Sequence, residues 1–335
     1  MKDGTDLTLG KFLSSREVFL INILKENVCG HLFECLDYYM LLSQRSEKSV
    51  GIYLAYDNFS KDDLENLVED RYSLSSREIK ALLKDTYIQS IKEFRKTRII
   101  RFTKHQRIIF TDAQDYARIM NDTNMVFSAP SIIGLRCGIV NEQFKKLSDK
   151  VTKLKINFKV FQDFRIYTES LYDIPTRNHK KRLYFKSYKH LDKEDIAKNT
   201  GFIYLSTECR SLDVNYLKKI VLEHPELSKI YVAVLNKDDY PSLNKVEYLV
   251  PPVKNFHEKF DTFIYVPIAR KFDCSPRLLP ECTFYNKNII FHGIDKDYGD
   301  LGLYWRYQDC KENMGDLTLD LTDLVYLYAE GNNAI

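Results

Sequence analysis

The 335-residue chain has little glycine, proline or tryptophan, with 12, 9 and 1 of each. This composition excludes a collagen-like or low-complexity chain. Its seven cysteines form no CxxC motif and no zinc-spaced cluster with histidine, so reduced thiols in a cytoplasm-like compartment are expected. The longest early apolar run, residues 18–24, is too short to span a bilayer, and no secretory signal precedes it. These absences predict a soluble cytoplasmic protein without a membrane partner.

Several common catalytic motifs are also missing. The chain contains no GxGxxG fingerprint, no GxxxxGK[ST] loop, no GxSxG elbow and no HExxH pair. These gaps exclude the commonest dinucleotide, ATP, serine-hydrolase and zinc-protease sites. No metal site is predicted, because the acidic pairs at 238–239 and 295–297 are ordinary polar loop sequences.

The hydrophobic pattern alternates between strands and helices. With 44% hydrophobic residues, 23 Tyr and 20 Phe, the chain is rich enough in apolar residues to fold. Helices are predicted at 32–44, over a long charged region at 61–93, and at 214–223. Strands are predicted at 18–24, 50–55, 97–102, 107–110, 125–128, 156–161, 201–206, 229–235, 245–250, 263–266 and 288–291.

This alternation predicts an α/β fold with two Rossmann-like parallel-sheet domains, because strands separated by helices form βαβ units. The first domain is expected at 1–175 and the second at 176–315. A final segment, 316–335, contains a predicted helix at 320–329 that is expected to pack back toward the first domain.

Charge is distributed unevenly along the chain. Residues 92–107 contain seven basic side chains and one acid, and residues 177–190 contain six basic side chains and no acid. Residues 294–335 contain nine acids and three bases. Basic clusters interleaved with Phe and Tyr favour a polyanion such as nucleic acid. The alternative is a solvated charged face.

The segment 261–293 combines a strand, a loop, a helix start and a second strand. An arginine beside a helix start can stabilise a diphosphate leaving group, and a carboxylate can accept hydrogen bonds from two hydroxyls. The segment resembles the donor site of GT-B glycosyltransferases. The resemblance implies that Glu281 binds the ribose hydroxyls, that Arg277 neutralises the diphosphate, and that Ser275 and Arg210 also contact the donor. The alternative is a helix-capping Arg–Glu pair.

Residues 153–167 run from a basic strand into Asp163 and Arg165. This segment resembles the strand-then-Asp-x-Arg segment of the bacteriophage DNA β-glucosyltransferases, which glucosylate 5-hydroxymethylcytosine. The resemblance implies that Asp163 is the general base, with Arg165 beside it. Asp112 is the alternative base, since it follows the strand at 107–110 in a Phe-Thr-Asp sequence. In GT-B enzymes the first loop meets the donor sugar, which implies roles for Gly30 and His31.

The implied function is an inverting glycosyltransferase that moves a sugar from a UDP-sugar to the hydroxymethyl group of a base in double-stranded phage DNA. The location would be the cytoplasm of the host cell. Glucose and arabinose both remain open as the sugar, and so does Mg²⁺ or Mn²⁺ bound to the diphosphate. The first alternative is the same fold acting on a surface glycan or a lipid-linked sugar. The second is a nucleic-acid-binding module without enzymatic activity.

Overall fold

The computed structural model describes residues 8–24, 30–45, 48–96, 101–102, 106–110, 126–127, 131–135, 158–162, 176–178, 188–204, 214–234, 236–266 and 278–292. These residues form two compact units. The described residues up to 69 and from 74 to 178 belong to the first unit, and residues 70–73 with 188–292 belong to the second. The boundary predicted at 175 and 176 adjoins residues outside these ranges and stays a prediction, as does the helix at 320–329.

The first unit is built around a seven-stranded parallel sheet in the order β3-β2-β1-β5-β7-β8-β9. Its central strands are continuous apolar runs, as expected where a parallel sheet is covered on both faces. Every residue of the second strand is buried. The strands are β1 (Val18–Leu24), β2 (Val50–Tyr56), β3 (Thr86–Gln89), β5 (Arg107–Phe110), β7 (Ser131–Leu135), β8 (Phe158–Gln162) and β9 (Thr176–Asn178), while β4 (Arg101–Phe102) and β6 (Val126–Phe127) form a separate parallel pair.

Among the described residues, five helices accompany this sheet: α1 (Leu9–Ser14), α2 (Gly30–Arg45), α3 (Lys61–Arg71), α4 (Ser76–Lys84) and α5 (Ile91–Lys96). The start of α4 is fixed by a capping box. The Ser75 hydroxyl accepts from the Glu78 backbone N–H, and the Glu78 carboxylate accepts from the Ser75 backbone N–H. The last residues of α3 and those that follow it, Asp70–Ser73, belong to the second unit.

The second unit has a five-stranded parallel sheet in the order β12-β11-β10-β13-β14. The strands are β10 (Thr200–Tyr204), β11 (Lys229–Ala233), β12 (Val246–Leu249), β13 (Thr262–Tyr265) and β14 (Asn288–Phe291), with helices α6 (Val214–Glu223) and α7 (Leu278–Phe284). Gly201 allows close packing, because a Cβ there would meet the Leu227 Cδ1 atom at 2.9 Å. Buried apolar side chains of β10, β11 and α6 form its core.

The predicted fold class is therefore confirmed: the chain forms two Rossmann-like parallel sheets. Two details of the prediction are wrong. The region 61–93 is not one helical stretch, because β3 separates α4 from α5. The sequence predicts no strand between 128 and 156 or between 161 and 201, yet Ser131–Leu135 is a strand that pairs with both β5 and β8, and Thr176–Asn178 is a strand that pairs with β8.

Candidate functional site

Both sheets have a topological switch point, where neighbouring strands connect in opposite directions along the sheet. In the second unit this point lies between β10 and β13, and in the first unit it lies between β1 and β5. Ligands of open α/β sheets bind in the crevice outside the carboxyl ends of such strands. The residues that follow these four strands are therefore the leading candidates for ligand contacts.

Most of the site residues predicted from the sequence lie outside the described ranges. These residues are Asp112, Asp163, Arg165, Arg210, Ser275 and Arg277. Their positions in the sequence relative to the strands are nevertheless known. Arg210 comes six residues after β10 ends, and Ser275 and Arg277 come between the end of β13 and the start of α7.

In the first unit, Gly30 is the first residue of α2, the helix that follows β1, and it is partly exposed. His31 is the second residue of that helix, and its side chain lies outside the described part of the chain. Asp112 comes two residues after the end of β5, and Asp163 comes directly after β8.

Glu281 is the predicted site residue whose environment is described in most detail. It lies in α7, and its side chain is only 1% exposed. The carboxylate forms an ion pair through Oε1 with the Arg71 guanidinium, and its Oε2 atom lies 3.1 Å from His257 Nε2. All three side chains belong to the second unit.

His257 supplies a neutral hydrogen-bond donor to this carboxylate. Burial is the main cause that lowers the pKa of His257 to about 4, and the nearby Arg71 and Lys287 cations lower it further. Glu281 acts in the opposite direction, but burial prevails. At neutral pH the imidazole is uncharged and donates its Nε2–H to Glu281.

Lys287 completes the buried cluster. Its ammonium donates to the carbonyl oxygens of His257, at 2.6 Å, and of Phe260, and it lies 4.3 Å from the centre of the Phe260 ring. Burial lowers the pKa of Lys287 to about 8 and raises the pKa of the adjacent Cys282 thiol. We call Arg71, His257, Cys282, Glu281 and Lys287 the Glu281 cluster.

Sequence reasoning identified Glu281 but missed Arg71 and His257. Arg71 stands at the end of a charged helix in the first half of the sequence, where nothing marks it as a partner of Glu281. His257 lies in a short 3-10 turn, Phe256–Glu258, and has no motif around it.

A second group of titratable residues surrounds His292, directly after β14. Its Nε2 atom lies 2.6 Å from Glu223 Oε2, and its Nδ1 atom lies 3.0 Å from the Tyr216 hydroxyl. The hydrogen bond to His292 is the main cause that lowers the pKa of Glu223. This arrangement anchors α6 to the end of β14.

The described parts of the chain contain no group of three or more His, Cys, Asp or Glu residues arranged to hold a metal ion. Within the same parts, no helix is long and apolar enough to cross a membrane. Of the basic cluster at 92–107, the side chains of Lys92, Arg95, Lys96 and Arg107 are described. The first three are exposed on α5, and Arg107, the first residue of β5, is partly buried.

No family model matches the chain, and no curated protein sequence matches it either. Among solved structures, a mutant O-GlcNAc transferase from Thermobaculum terrenum is similar over 96% of this chain, with 10% sequence identity and a TM-score of 0.42. The chain covers 61% of that protein. A likeness of this size carries no conclusion about the activity of this chain.

Proposed function

We propose that the protein is a nucleotide-sugar-dependent glycosyltransferase that uses a UDP-sugar. The observation that carries the proposal is the switch point between β10 and β13. Arg210 follows the first of these strands in the sequence, and Ser275 and Arg277 follow the second. Ligands bind outside the carboxyl ends of such strands, and guanidinium groups bind phosphates with paired hydrogen bonds. The arrangement suits a nucleoside diphosphate.

The proposed reaction is a single displacement. An aspartate accepts the proton of the acceptor hydroxyl, and the acceptor oxygen forms a bond to the anomeric carbon of the sugar. The bond from that carbon to the diphosphate oxygen breaks, and UDP leaves with the electron pair. Arg210 and Arg277 stabilise the negative charge that develops on the diphosphate. Attack from the opposite face inverts the anomeric centre.

The strand order separates the two candidate bases. Asp112 follows β5, which is next to β1, whereas Asp163 follows β8, which is three strands away from β1. Neighbouring strands are about 4.8 Å apart, so the end of β8 lies about 14 Å from the end of β1. We therefore favour Asp112 over Asp163 as the general base. Arg165 comes two residues after Asp163 in the sequence, so it is less favoured for the same reason.

The proposed acceptor is a hydroxymethylated base in double-stranded DNA. Lys92, Arg95 and Lys96 are exposed on α5 and lie in the basic sequence 92–107. Phosphate contacts of this kind hold a duplex without reading its sequence. The target base would have to leave the helical stack to reach an aspartate at the active site.

The first experiment is a calorimetric titration of the full chain with UDP. The proposal expects binding that Arg277→Gln and Arg210→Gln weaken, since each removes a positive charge from the diphosphate. Arg77→Gln is the matched control, because Arg77 is exposed on α4. Titrations with EDTA and with Mg²⁺ or Mn²⁺ measure any metal dependence. The same titration is repeated with a panel of other nucleotides, and failure of the wild type to bind any of them would contradict a nucleotide-sugar-dependent glycosyltransferase.

The second experiment measures sugar transfer with radiolabelled UDP-glucose and UDP-arabinose. Duplex DNA carrying 5-hydroxymethylcytosine is compared with unmodified DNA and with a lipid-linked sugar. Asp112→Asn should abolish transfer while UDP binding persists, and Asp163→Asn should have the smaller effect. Asp62→Asn, on the exposed first turn of α3, is the control. Transfer to the lipid-linked sugar alone would support the alternative acceptor.

A third experiment tests the DNA surface through salt dependence. Neutralising Lys92, Arg95 and Lys96 should reduce the slope of log K against log salt by about 0.9 for each phosphate that these side chains no longer neutralise. The control neutralises Lys218 and Lys219, which are exposed on α6. A DNA affinity that does not change between low and high salt would contradict DNA as the acceptor.

A further inference from the structure

The strands of the second sheet end at the same register position, so their last residues form one row along its carboxyl edge. The register of β10 and β13 pairs Phe202 with Phe263. Two residues further along these strands, Tyr204 and Tyr265 therefore lie side by side at the switch point. In order across the sheet, this carboxyl-edge row consists of Leu249, Ala233, Tyr204, Tyr265 and Phe291. Because ligands bind outside this edge, the row is the part of the sheet nearest to them.

The face of the sheet that carries Tyr204 is lined with aromatic rings. Neighbouring residues of a strand point to opposite faces, and Ile203 belongs to the core formed with α6, so Tyr204 lies on the other face. Phe202 shares that face and is fully buried. Its ring centre lies 4.7 Å from that of Phe256 and 4.8 Å from that of Phe260. Tyr204 therefore stands at the carboxyl-edge end of a layer of buried aromatic side chains.

Tyr204 differs from the rest of its strand in exposure. The four preceding residues of β10 are buried, whereas the Tyr204 side chain is partly exposed. Its neighbour Tyr265 is only 6% exposed and supports it on one side. On the other side its neighbour is Ala233, whose methyl group covers little of a tyrosine ring. A tyrosine in this setting presents a rigid aromatic surface with two χ angles at the edge where the ligand is expected.

We infer that Tyr204 is a specificity-determining residue for the donor nucleotide, because its ring stacks on the nucleobase. This inference rests on the proposed function, since it assumes a nucleoside diphosphate at the switch point between β10 and β13. Arg210 and Arg277 would bind the diphosphate, but a guanidinium group binds free pyrophosphate in the same way. Aromatic stacking supplies the missing selectivity for a nucleotide, because every base has a π-face.

The test compares UDP with inorganic pyrophosphate, which has the diphosphate but no base. Calorimetric titrations of the full chain measure both dissociation constants in the wild type and in Tyr204→Leu, which keeps an apolar side chain but has no ring. UDP should bind Tyr204→Leu about tenfold more weakly than the wild type, because loss of one base–aromatic contact costs about this much. Pyrophosphate should bind both proteins equally.

Two further variants separate the ring from the hydroxyl and from the rest of this face. Tyr204→Phe removes the hydroxyl alone and should bind UDP as the wild type does. Tyr231→Leu is the matched control, because Tyr231 is partly exposed on the same face but lies at the level of Phe202, two residues before the carboxyl-edge row. This control should leave both affinities unchanged. A structural role alone would lower the melting temperature of Tyr204→Leu without changing the ratio of the two dissociation constants.

A photoaffinity label tests the contact without any substitution. 5-Azido-UDP carries its reactive group on the base, and irradiation of the wild type with this probe should label the tryptic peptide 199–210, which lies between Lys198 and the site after Arg210. Fragmentation of the peptide should locate the label at Tyr204, and an excess of UDP should prevent labelling. This measurement decides the question if Tyr204→Leu does not fold.

The outcomes for the proposed function and for this inference are distinct. No binding of UDP by the wild type would overturn the proposed function, and this inference would fall with it. Binding by the wild type with an unchanged UDP affinity in folded Tyr204→Leu would overturn the inference alone. Equal weakening of UDP and pyrophosphate in Tyr204→Leu, loss of UDP affinity in Tyr204→Phe, or labelling confined to other peptides would also overturn it.

Discussion

Mild acid should destabilise the second unit, and His257 should cause most of this effect. The imidazole is buried beside the Glu281 carboxylate, and the Arg71 and Lys287 cations are also near it. Burial is the main cause that lowers the pKa of His257 to about 4 from its ordinary value of 6.5. The folded protein therefore keeps this histidine neutral at a pH where the unfolded chain protonates it.

The sign and size of the effect follow from this difference in pKa. Stability is fully present above the unfolded pKa of 6.5 and is lost as the pH falls toward the folded pKa of about 4. One pKa unit corresponds to about 1.4 kcal/mol, so the whole window is worth about 3 kcal/mol. Between pH 7.5 and pH 5 the expected loss is about 2 kcal/mol, or about 30-fold in the opening equilibrium.

Hydrogen exchange measured by mass spectrometry can follow this loss in the second unit alone. The peptides that contain β10 and β13 report on opening of its sheet, after correction for the intrinsic exchange rate at each pH. Protection in the wild type should fall about 30-fold more between pH 7.5 and pH 5 than protection in His257→Gln. The pKa of Glu223 is lowered, so the stability that this carboxylate contributes is lost only below pH 5, outside the measured range.

His190→Gln controls for the removal of one histidine, because the His190 side chain is 90% exposed. This variant should keep the pH dependence of the wild type. The reasoning would be refuted if His257→Gln folds normally at pH 7.5 and then loses protection by the same factor as the wild type at pH 5. In that case His257 would not be held neutral by its burial.

Two further substitutions test the packing and the capping of the fold. Ser75→Ala removes the capping box of α4 and should cost about 1 kcal/mol in hydrogen-exchange protection of that helix, whereas Ser76→Ala should have little effect. Gly201→Ala places a Cβ 2.9 Å from Leu227 Cδ1 and should cost about 1–3 kcal/mol in the second unit. Gly10→Ala, with nothing within 4 Å, should be neutral or stabilising, and a similar cost at both glycines would contradict the packing argument.

The sequence predicted the central strands because parallel strands that are buried on both faces are continuous apolar runs. The predicted bounds of Val18–Leu24, Arg107–Phe110 and Asn288–Phe291 are those of the structure, and so are the bounds of the helix Val214–Glu223. In each case the local pattern and the tertiary environment favour the same conformation.

Two of the strands that were not predicted, Thr86–Gln89 and Ser131–Leu135, lack this agreement. Thr86–Gln89 is short, and only its first residue is buried. It also follows helix α4 after a single residue, so the helical pattern of the surrounding sequence hides the strand. Ser131–Leu135 follows a proline and contains a glycine, which favour a loop. Pairing with β5 and β8 supplies the hydrogen bonds that make this segment a strand, and such pairing is not visible in a local window.

In the candidate site, too, the sequence predicts what depends on local pattern and misses what depends on distant contacts. Residues that follow strands could be selected from the sequence, because the carboxyl edge of a parallel sheet is a known place for ligands. The partners of Glu281 could not be selected in this way. Arg71 reaches Glu281 only because segment 70–73 packs within the second unit, and a contact between distant parts of the chain leaves no periodic signal.

Replacing both members of the buried Arg71–Glu281 pair tests whether each charge is tolerated in the second unit only because the other one is present. Arg71→Met alone leaves a buried carboxylate without its cation and should cost about 3–5 kcal/mol. The double variant Arg71→Met/Glu281→Met removes both charges and should recover most of this loss, less about 1–3 kcal/mol for the His257 N–H left without its acceptor. Hydrogen exchange in β13 measures the recovery. A double variant as unstable as Arg71→Met would contradict the pairing argument, because the loss of stability would then not depend on the uncompensated charge.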